Sequence, residues 1–254
     1  MIRRVLKSLT CAAVLLVGSA AVADPTDVQD MSEADRAAFR NEMRAYLLEN
    51  PEVIMEAIQI LEQRRQLAAQ QADRDIVLAN AQALYQDGFS YVGGNPEGDV
   101  TVVEFLDYRC GFCKRAHPMV EELLDRDPNV RLIVKEFPIL GPNSVIAGKM
   151  ALAALDIDPT KYSELNDELM IYQGNLTEQV AYRIAGELGY DIAALKERAN
   201  SPEIDDRLQR NYQLAQSLGV QGTPAFVVGN EVIRGFLPIE DMLAAVDDAR
   251  RTTN

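Results

Sequence analysis

Cysteine, histidine, aromatic and basic residues are all scarce in this 254-residue sequence: 3 Cys, 1 His, 6% aromatics, and 25 Lys and Arg against 39 Asp and Glu. Three cysteines are too few for a disulfide-stapled miniature fold. The basic deficit leaves a formal charge of -14, which repels phosphate and excludes a polybasic nucleic-acid footprint. No second long apolar run follows the one at the start, so the sequence offers no spanning helix downstream. No internal repeat is present. Apolar content is ample at 48%. That excludes disorder throughout and suffices for one large domain or two modest ones.

The early apolar run reads as an address. Arg3, Arg4 and Lys7 precede it, it covers roughly residues 9–22, and it ends in Ala21-Val22-Ala23 before Asp24. A positive start, a short apolar centre and a small-x-small end predict a secretory signal peptide over residues 1–23, cleaved near Ala23. A retained anchor is the competing reading, disfavoured by the shortness of the run. Cys11 follows Ser8-Leu9-Thr10, a poor lipobox. Removing residues 1–23 leaves 22 basic against 39 acidic side chains, a charge of -17, and only Cys110 and Cys113. A secreted chain meets an oxidising compartment, where such a pair is a structural or a reactive disulfide. A two-residue spacer closes a very small loop and constrains little of the unfolded chain. Redox chemistry is the better reason for the pair.

From Ser32 to about Gln86 the sequence reads as helix. Ser32 with Asp35 resembles a capping box, and Phe39, Met43, Tyr46 and Leu47 recur at helical spacing. Asn50-Pro51 restarts the helix, and no Gly or Pro follows from Glu52 to Asp87. Val53, Ile54, Ala57, Ile58 and Leu61 form an apolar face that fades beyond Arg64 without a sustained heptad. A helix this long needs a buried face, which favours self-association over a solvated spacer or a partner-docking module. Gly93-Gly94-Asn95-Pro96 and Gly98 mark a boundary. Residues 24–88 are therefore expected as a helical oligomerisation region and residues 89–254 as a separate domain. In that domain Val100–Leu106 and Val130–Phe137 read as strands around a helix from Cys113 to Asp125. Residues 142–218 are helical in pattern with breaks at Asp158-Pro159, Gly174-Asn175, Gly189 and Ser201-Pro202, Ala225–Val228 and Glu231–Arg234 form a hairpin around Gly229-Asn230, and Leu237–Arg251 closes as an amphipathic helix. The expected class is α/β, a mixed sheet with a helical insertion.

Cys110-Gly111-Phe112-Cys113 lies where a buried strand gives way to a helix. Unsatisfied N–H groups and the macrodipole at a helix N-terminus favour thiolate, so Cys110 is expected to be the reactive thiol and Cys113, one turn deeper, the resolving one. Glu104 is a carboxylate inside an apolar strand. It is either at a wet strand edge or a partly buried acid near the thiols that moves protons, with Lys135 of the next strand as its charge partner. Thr223-Pro224 precedes a strand, and the sequence alone does not decide whether its peptide is cis. His117 is the single histidine. With the two cysteines it could offer three ligands to Zn(II) or Cu(I), but a solvated helix-face histidine is the favoured reading, and no metal or cofactor is assigned. Pro118 predicts a kink, and Asn175-Leu176-Thr177 matches a glycosylation sequon that is frequent by chance.

Glu104, the run Phe105-Leu-Asp-Tyr-Arg-Cys-Gly-Phe-Cys-Lys-Arg and, far downstream, Gly222-Thr-Pro-Ala-Phe-Val-Val together resemble the DsbA-like thioredoxin superfamily over roughly residues 89–251. The resemblance implies a thioredoxin fold with an inserted helical subdomain. It implies Cys110 as nucleophile, Cys113 as resolving cysteine, Thr223-Pro224 as the cis-proline loop that meets substrate, Glu104 and Lys135 as a buried charged pair, and Pro118 as the helix kink. The dipeptide between the cysteines is Gly-Phe rather than the Pro-His of the strongly oxidising member, so no redox potential is carried over. The helical N-terminal region is similar to that of the ScsC-like (suppressor of copper sensitivity) proteins, which trimerise and shuffle disulfides. The expectation is a periplasmic oxidoreductase acting on secreted proteins with a membrane redox partner. A disulfide isomerase, as a homo-oligomer with a trimer favoured, is preferred over a dithiol oxidase. A copper(I)-binding role for the same dithiol is a third reading, against which the lack of Met/His-rich tracts counts.

Overall fold

The computed structural model describes residues 31–253. The expected signal peptide, its cleavage site and Cys11 lie outside the described residues. The chain falls into two compact units, one ending at Glu62 and the other beginning at Gln63.

In the first unit, helix α1 spans Glu33–Glu49. The Ser32 hydroxyl caps it as expected, accepting from the Asp35 backbone N–H at 3.2 Å and donating to Asp35 Oδ2 at 2.6 Å. Asn50 ends α1 and Pro51 precedes α2, which runs Glu52–Ala79 across the division between the units. No residue of α1 is buried, and Phe39, Met43, Tyr46, Ile54, Ile58 and Leu61 are all exposed.

The expectation of an unbroken helix to Asp87 fails at Asn80. Its side-chain amide donates to the Ile76 carbonyl at 2.8 Å, competing with the backbone ladder, and a short helix α3, Ala81–Tyr85, restarts after it. The boundary expected at residues 88/89 also differs from where the core divides. Val77 of α2 and Leu84 of α3 are fully buried with Phe105, Ile133 and Val227. Val77 and Leu84 thus tie α2 and α3 to the second unit's core, burial of side chains of that size being worth about 1.5–3 kcal/mol each.

Five strands are found among the described residues: β1 Tyr91–Gly94, β2 Val100–Leu106, β3 Val130–Glu136, β4 Ala225–Val228 and β5 Glu231–Arg234, in the order β1-β3-β2-β4-β5. Only β2 and β3 are parallel, joined by helix α4, Gly111–Arg126. The other pairs are antiparallel. The insertion expected at 142–218 is five helices: α5 Pro142–Ile157, α6 Tyr162–Ile171, α7 Glu178–Glu187, α8 Ile192–Ala199 and α9 Pro202–Ser217. Helix α10, Ile239–Thr253, closes the chain. Strand alternation divides the sheet into two faces. Val102 and Leu106 pack with Cys113, Ala116 and Leu123 of α4 and Val246 of α10, while Val103 and Phe105 pack with Val77, Leu84 and Leu214. Strand β1 was invisible to sequence reasoning because half of its four residues are glycine. Gly229 turns the β4–β5 hairpin at φ 57°, where a side chain would also press on Ala249.

Candidate active site

The turn between β2 and α4 is set by Asp107, a buried residue that sequence reasoning passed over. Its Oδ1 accepts from the Arg109 N–H at 2.8 Å, and its Oδ2 accepts from Ile139 and Leu140 N–H at 2.8 and 2.9 Å. Its carbonyl accepts from the Cys110 N–H at 2.9 Å. An Asx turn at a strand end was the available signal. Tyr108 stiffens the same turn, donating to Glu136 Oε1 at 2.7 Å beside Tyr162, which donates to the same oxygen at 2.8 Å. Burial pushes Glu136 up to about 8 against those two bonds, which fits a protonated acid serving as a buried acceptor.

Cys110 occupies the N-cap of α4 with extended backbone, and Cys113 lies one turn in; both are free thiols. The Thr223–Pro224 peptide is cis, and Cys110 Sγ, in its thiol form, donates to the Thr223 carbonyl at 3.1 Å. The two thiols diverge electrostatically. Cys110 is pushed down to about 5, chiefly by the hydrogen bond from the Cys113 thiol, with help from the Thr223 side chain and the Phe112 and Cys113 N–H groups overcoming burial. Cys113 goes well above the ordinary thiol range, first through burial, then through its bond to Cys110 and the negative charges of Cys110 and Glu104.

Glu104 is buried on the sheet face that carries α4. Desolvation pushes it up to about 7, moderated by the charge of His117. The wet strand edge is thereby excluded, and the acid lies near enough to Cys113 to raise it. The expected partnership with Lys135 is a correction. In the parallel register Glu104 sits beside Val134, and Lys135 beside Phe105, so the two side chains leave opposite faces of the sheet. Lys135 instead donates to Asp87 Oδ2 at 2.6 Å and to the Ala83 carbonyl at 2.7 Å, anchoring α3. Burial lowers Lys135, with Asp87 opposing, while Asp87 is lowered because the ammonium outweighs its own burial.

His117 is not the solvated helix-face residue expected. It is buried rather than solvated, because its face of α4 turns toward α6, where Asp167 Oδ1 lies 3.3 Å from Nε2. Pro118 lies inside α4. Lys114 joins the same helices, donating to the carbonyls of Leu169, Met170 and Tyr172 at the end of α6. Cys110, Cys113 and His117 do not form the three-ligand set considered above. Among the described residues, His117 groups with Glu121 and Asp167.

The DSBA-like thioredoxin domain model matches residues 101–247, and that of the copper resistance protein ScsC N-terminal domain matches residues 35–68. A thioredoxin-like oxidoreductase from Silicibacter pomeroyi DSS-3 is 44% identical, with a TM-score of 0.65 over 67% of this chain and 97% of its own. The catalytic domain of Proteus mirabilis ScsC is 27% identical, with a TM-score of 0.64 over 70% and 98%. The Na(+)/H(+) antiporter NhaA 1 of Salinispora arenicola (strain CNS-205) is 32% identical over 161 residues, 63% of this chain. This chain spans only 24% of that relative's length. No helix among the described residues is long and apolar enough to cross a membrane.

Proposed function

The chain belongs to the DSBA-like thioredoxin family, and from that premise we propose that it is a periplasmic thiol–disulfide oxidoreductase with Cys110 as nucleophile and Cys113 as resolving thiol. The observation that carries this reading is Cys110 at the N-cap of α4 against the Thr223 carbonyl with Cys113 buried one turn in, an arrangement that pushes Cys110 down to about 5 while burial raises Cys113. At neutral pH Cys110 is then almost entirely thiolate, the form that attacks disulfides.

The Cys110 thiolate attacks one sulfur of a substrate disulfide, forming a mixed disulfide and releasing a substrate thiolate. In isomerisation that thiolate, or another in the same substrate, attacks a further disulfide, and a substrate thiolate finally displaces Cys110, with no net electron transfer. In reduction Cys113 attacks the Cys110 sulfur, the Cys110–Cys113 disulfide forms, and the substrate leaves with two more electrons. The Glu104 carboxylate, whose charge bears on Cys113, would take the Cys113 proton. Thr223, whose carbonyl meets Cys110, and Pro224 present the backbone against which substrate lies. A membrane electron donor would keep an isomerase reduced; a quinone-linked acceptor would keep an oxidase oxidised.

We favour the isomerase. The ScsC-type N-terminal match and the exposed apolar residues of α1 and α2 support self-association, with a trimer favoured, so that several thiol sites address one misfolded client. The low Cys110 value gives the oxidase reading its support, since a stabilised thiolate is also a good leaving group. Reactivation of a scrambled multi-disulfide protein separates them. The chain from Asp24 is expected to reactivate it as an oligomer by light scattering, and a chain beginning at Gln63 to be monomeric and much slower. Oxidation of dithiols without reactivation would establish the oxidase instead.

A further inference from the structure

Helices α4 and α6 meet at three side chains that the thiol chemistry does not use: His117, Glu121 and Asp167. His117 and Glu121 are four residues apart on α4 and share one helix face, and Asp167 comes from α6 of the insertion. His117 Nε2 lies 3.3 Å from Asp167 Oδ1 and 3.8 Å from Glu121 Oε1, and the three ligand atoms all fall within 4.8 Å of one another. The imidazole is 9% exposed, yet its Nε2 has no hydrogen-bond partner, only the ion-pair approach of Asp167 and Glu121. Buried polar nitrogens are rarely left so, because an unmade bond costs more than a made one returns.

We propose that His117, Glu121 and Asp167 form a divalent-metal site, with Zn(II) the ion they suit. Ligands at about 2.0–2.2 Å around a tetrahedral centre stand about 3.4 Å apart, close to the spacing found between Nε2 and Asp167. One imidazole with two carboxylates is a borderline-to-hard set. It matches Zn(II) and lacks the thiolate or thioether that Cu(I) prefers. Glu121 is exposed and Asp167 half-buried, so the ion would enter from solvent and complete its shell with water. Bound there, it would fasten the thiol-bearing helix to the insertion beside the Lys114 cap. The site uses neither cysteine, so it stands or falls independently of the thiol reading.

The test is calorimetric titration of the tag-free chain from Asp24 with zinc ion alone, after oxidation has closed Cys110 and Cys113 into a disulfide. One zinc per chain is expected. Loss of a ligand should exceed the roughly 10–100-fold cost of losing an outer-shell partner, so His117→Gln should weaken binding at least about 100-fold. Asp167→Asn, at a partly exposed side chain and with its fold checked by circular dichroism, should weaken it at least tenfold, as should Glu121→Gln. No saturable binding, or binding that survives both His117→Gln and Asp167→Asn unchanged, would overturn the site and leave an ordinary histidine–carboxylate ion pair.

Discussion

Glu104 is expected to cost the fold stability at neutral pH, and removal of its charge to recover it. Its carboxyl moves from an ordinary 4.5 to about 7 through burial, with only the charge of His117 opposing. Below pH 4.5 both folded and unfolded chains hold the proton and nothing is lost. Between 4.5 and about 7 the unfolded chain releases it while the folded chain keeps it, so stability falls as pH rises, and above 7 the full cost is felt. At about 1.4 kcal/mol per pKa unit the total is about 3 kcal/mol, a visible share of the roughly 5–15 kcal/mol that holds a domain together. Urea unfolding of wild type and Glu104→Gln, with the dithiol oxidised so that neither thiol titrates, isolates the effect. The variant's advantage should grow by about 2–3 kcal/mol from pH 5 to pH 8. A difference that stays flat or shrinks over that range would refute the burial argument. The same variant should also resolve mixed disulfides at least about tenfold more slowly, at the low end for general acid–base groups.

The Cys110 thiolate, followed by its ultraviolet absorbance, is expected to titrate with a midpoint near 5, and Cys113→Ala to raise that midpoint by more than about one unit by removing the largest contributor. An unmoved midpoint would show that Cys113 does not hold the thiolate. Asp87→Asn leaves the fully buried Lys135 ammonium without its counter-charge, so urea denaturation should register a loss of about 3–5 kcal/mol, and Lys135→Met in the same chain should restore most of it. A loss under about 1 kcal/mol would contradict the pairing.

The elements with strong local patterns were legible in the sequence. Val100–Leu106, Ala225–Val228 and Glu231–Arg234 were bounded as they stand, and the breaks at Pro159, Gly174, Gly189 and Pro202 separate α5 to α9. The thiol pair was legible because a helix N-terminus is itself a local feature. What failed depended on partners distant in sequence. Lys135 took Asp87, 48 residues away, because strand alternation turned it from Glu104 to the face covered by α3. His117 was buried by α6, an element about 50 residues downstream whose position no periodicity in α4 announces. Asn80 was readable in principle, since its side chain breaks the ladder locally, but one polar residue in a long helical pattern carries little weight.

The central claim is that Cys110 attacks and Cys113 resolves. It is tested most directly by trapping: Cys113→Ser, incubated with a disulfide-bonded secreted protein, should accumulate a covalent adduct that reductant releases and peptide mass spectrometry places on Cys110. The Cys110→Ser chain should trap nothing, because Cys113 is fully buried and held as a thiol. An adduct on Cys113 in Cys110→Ser, or none on Cys110 in Cys113→Ser, would contradict the account.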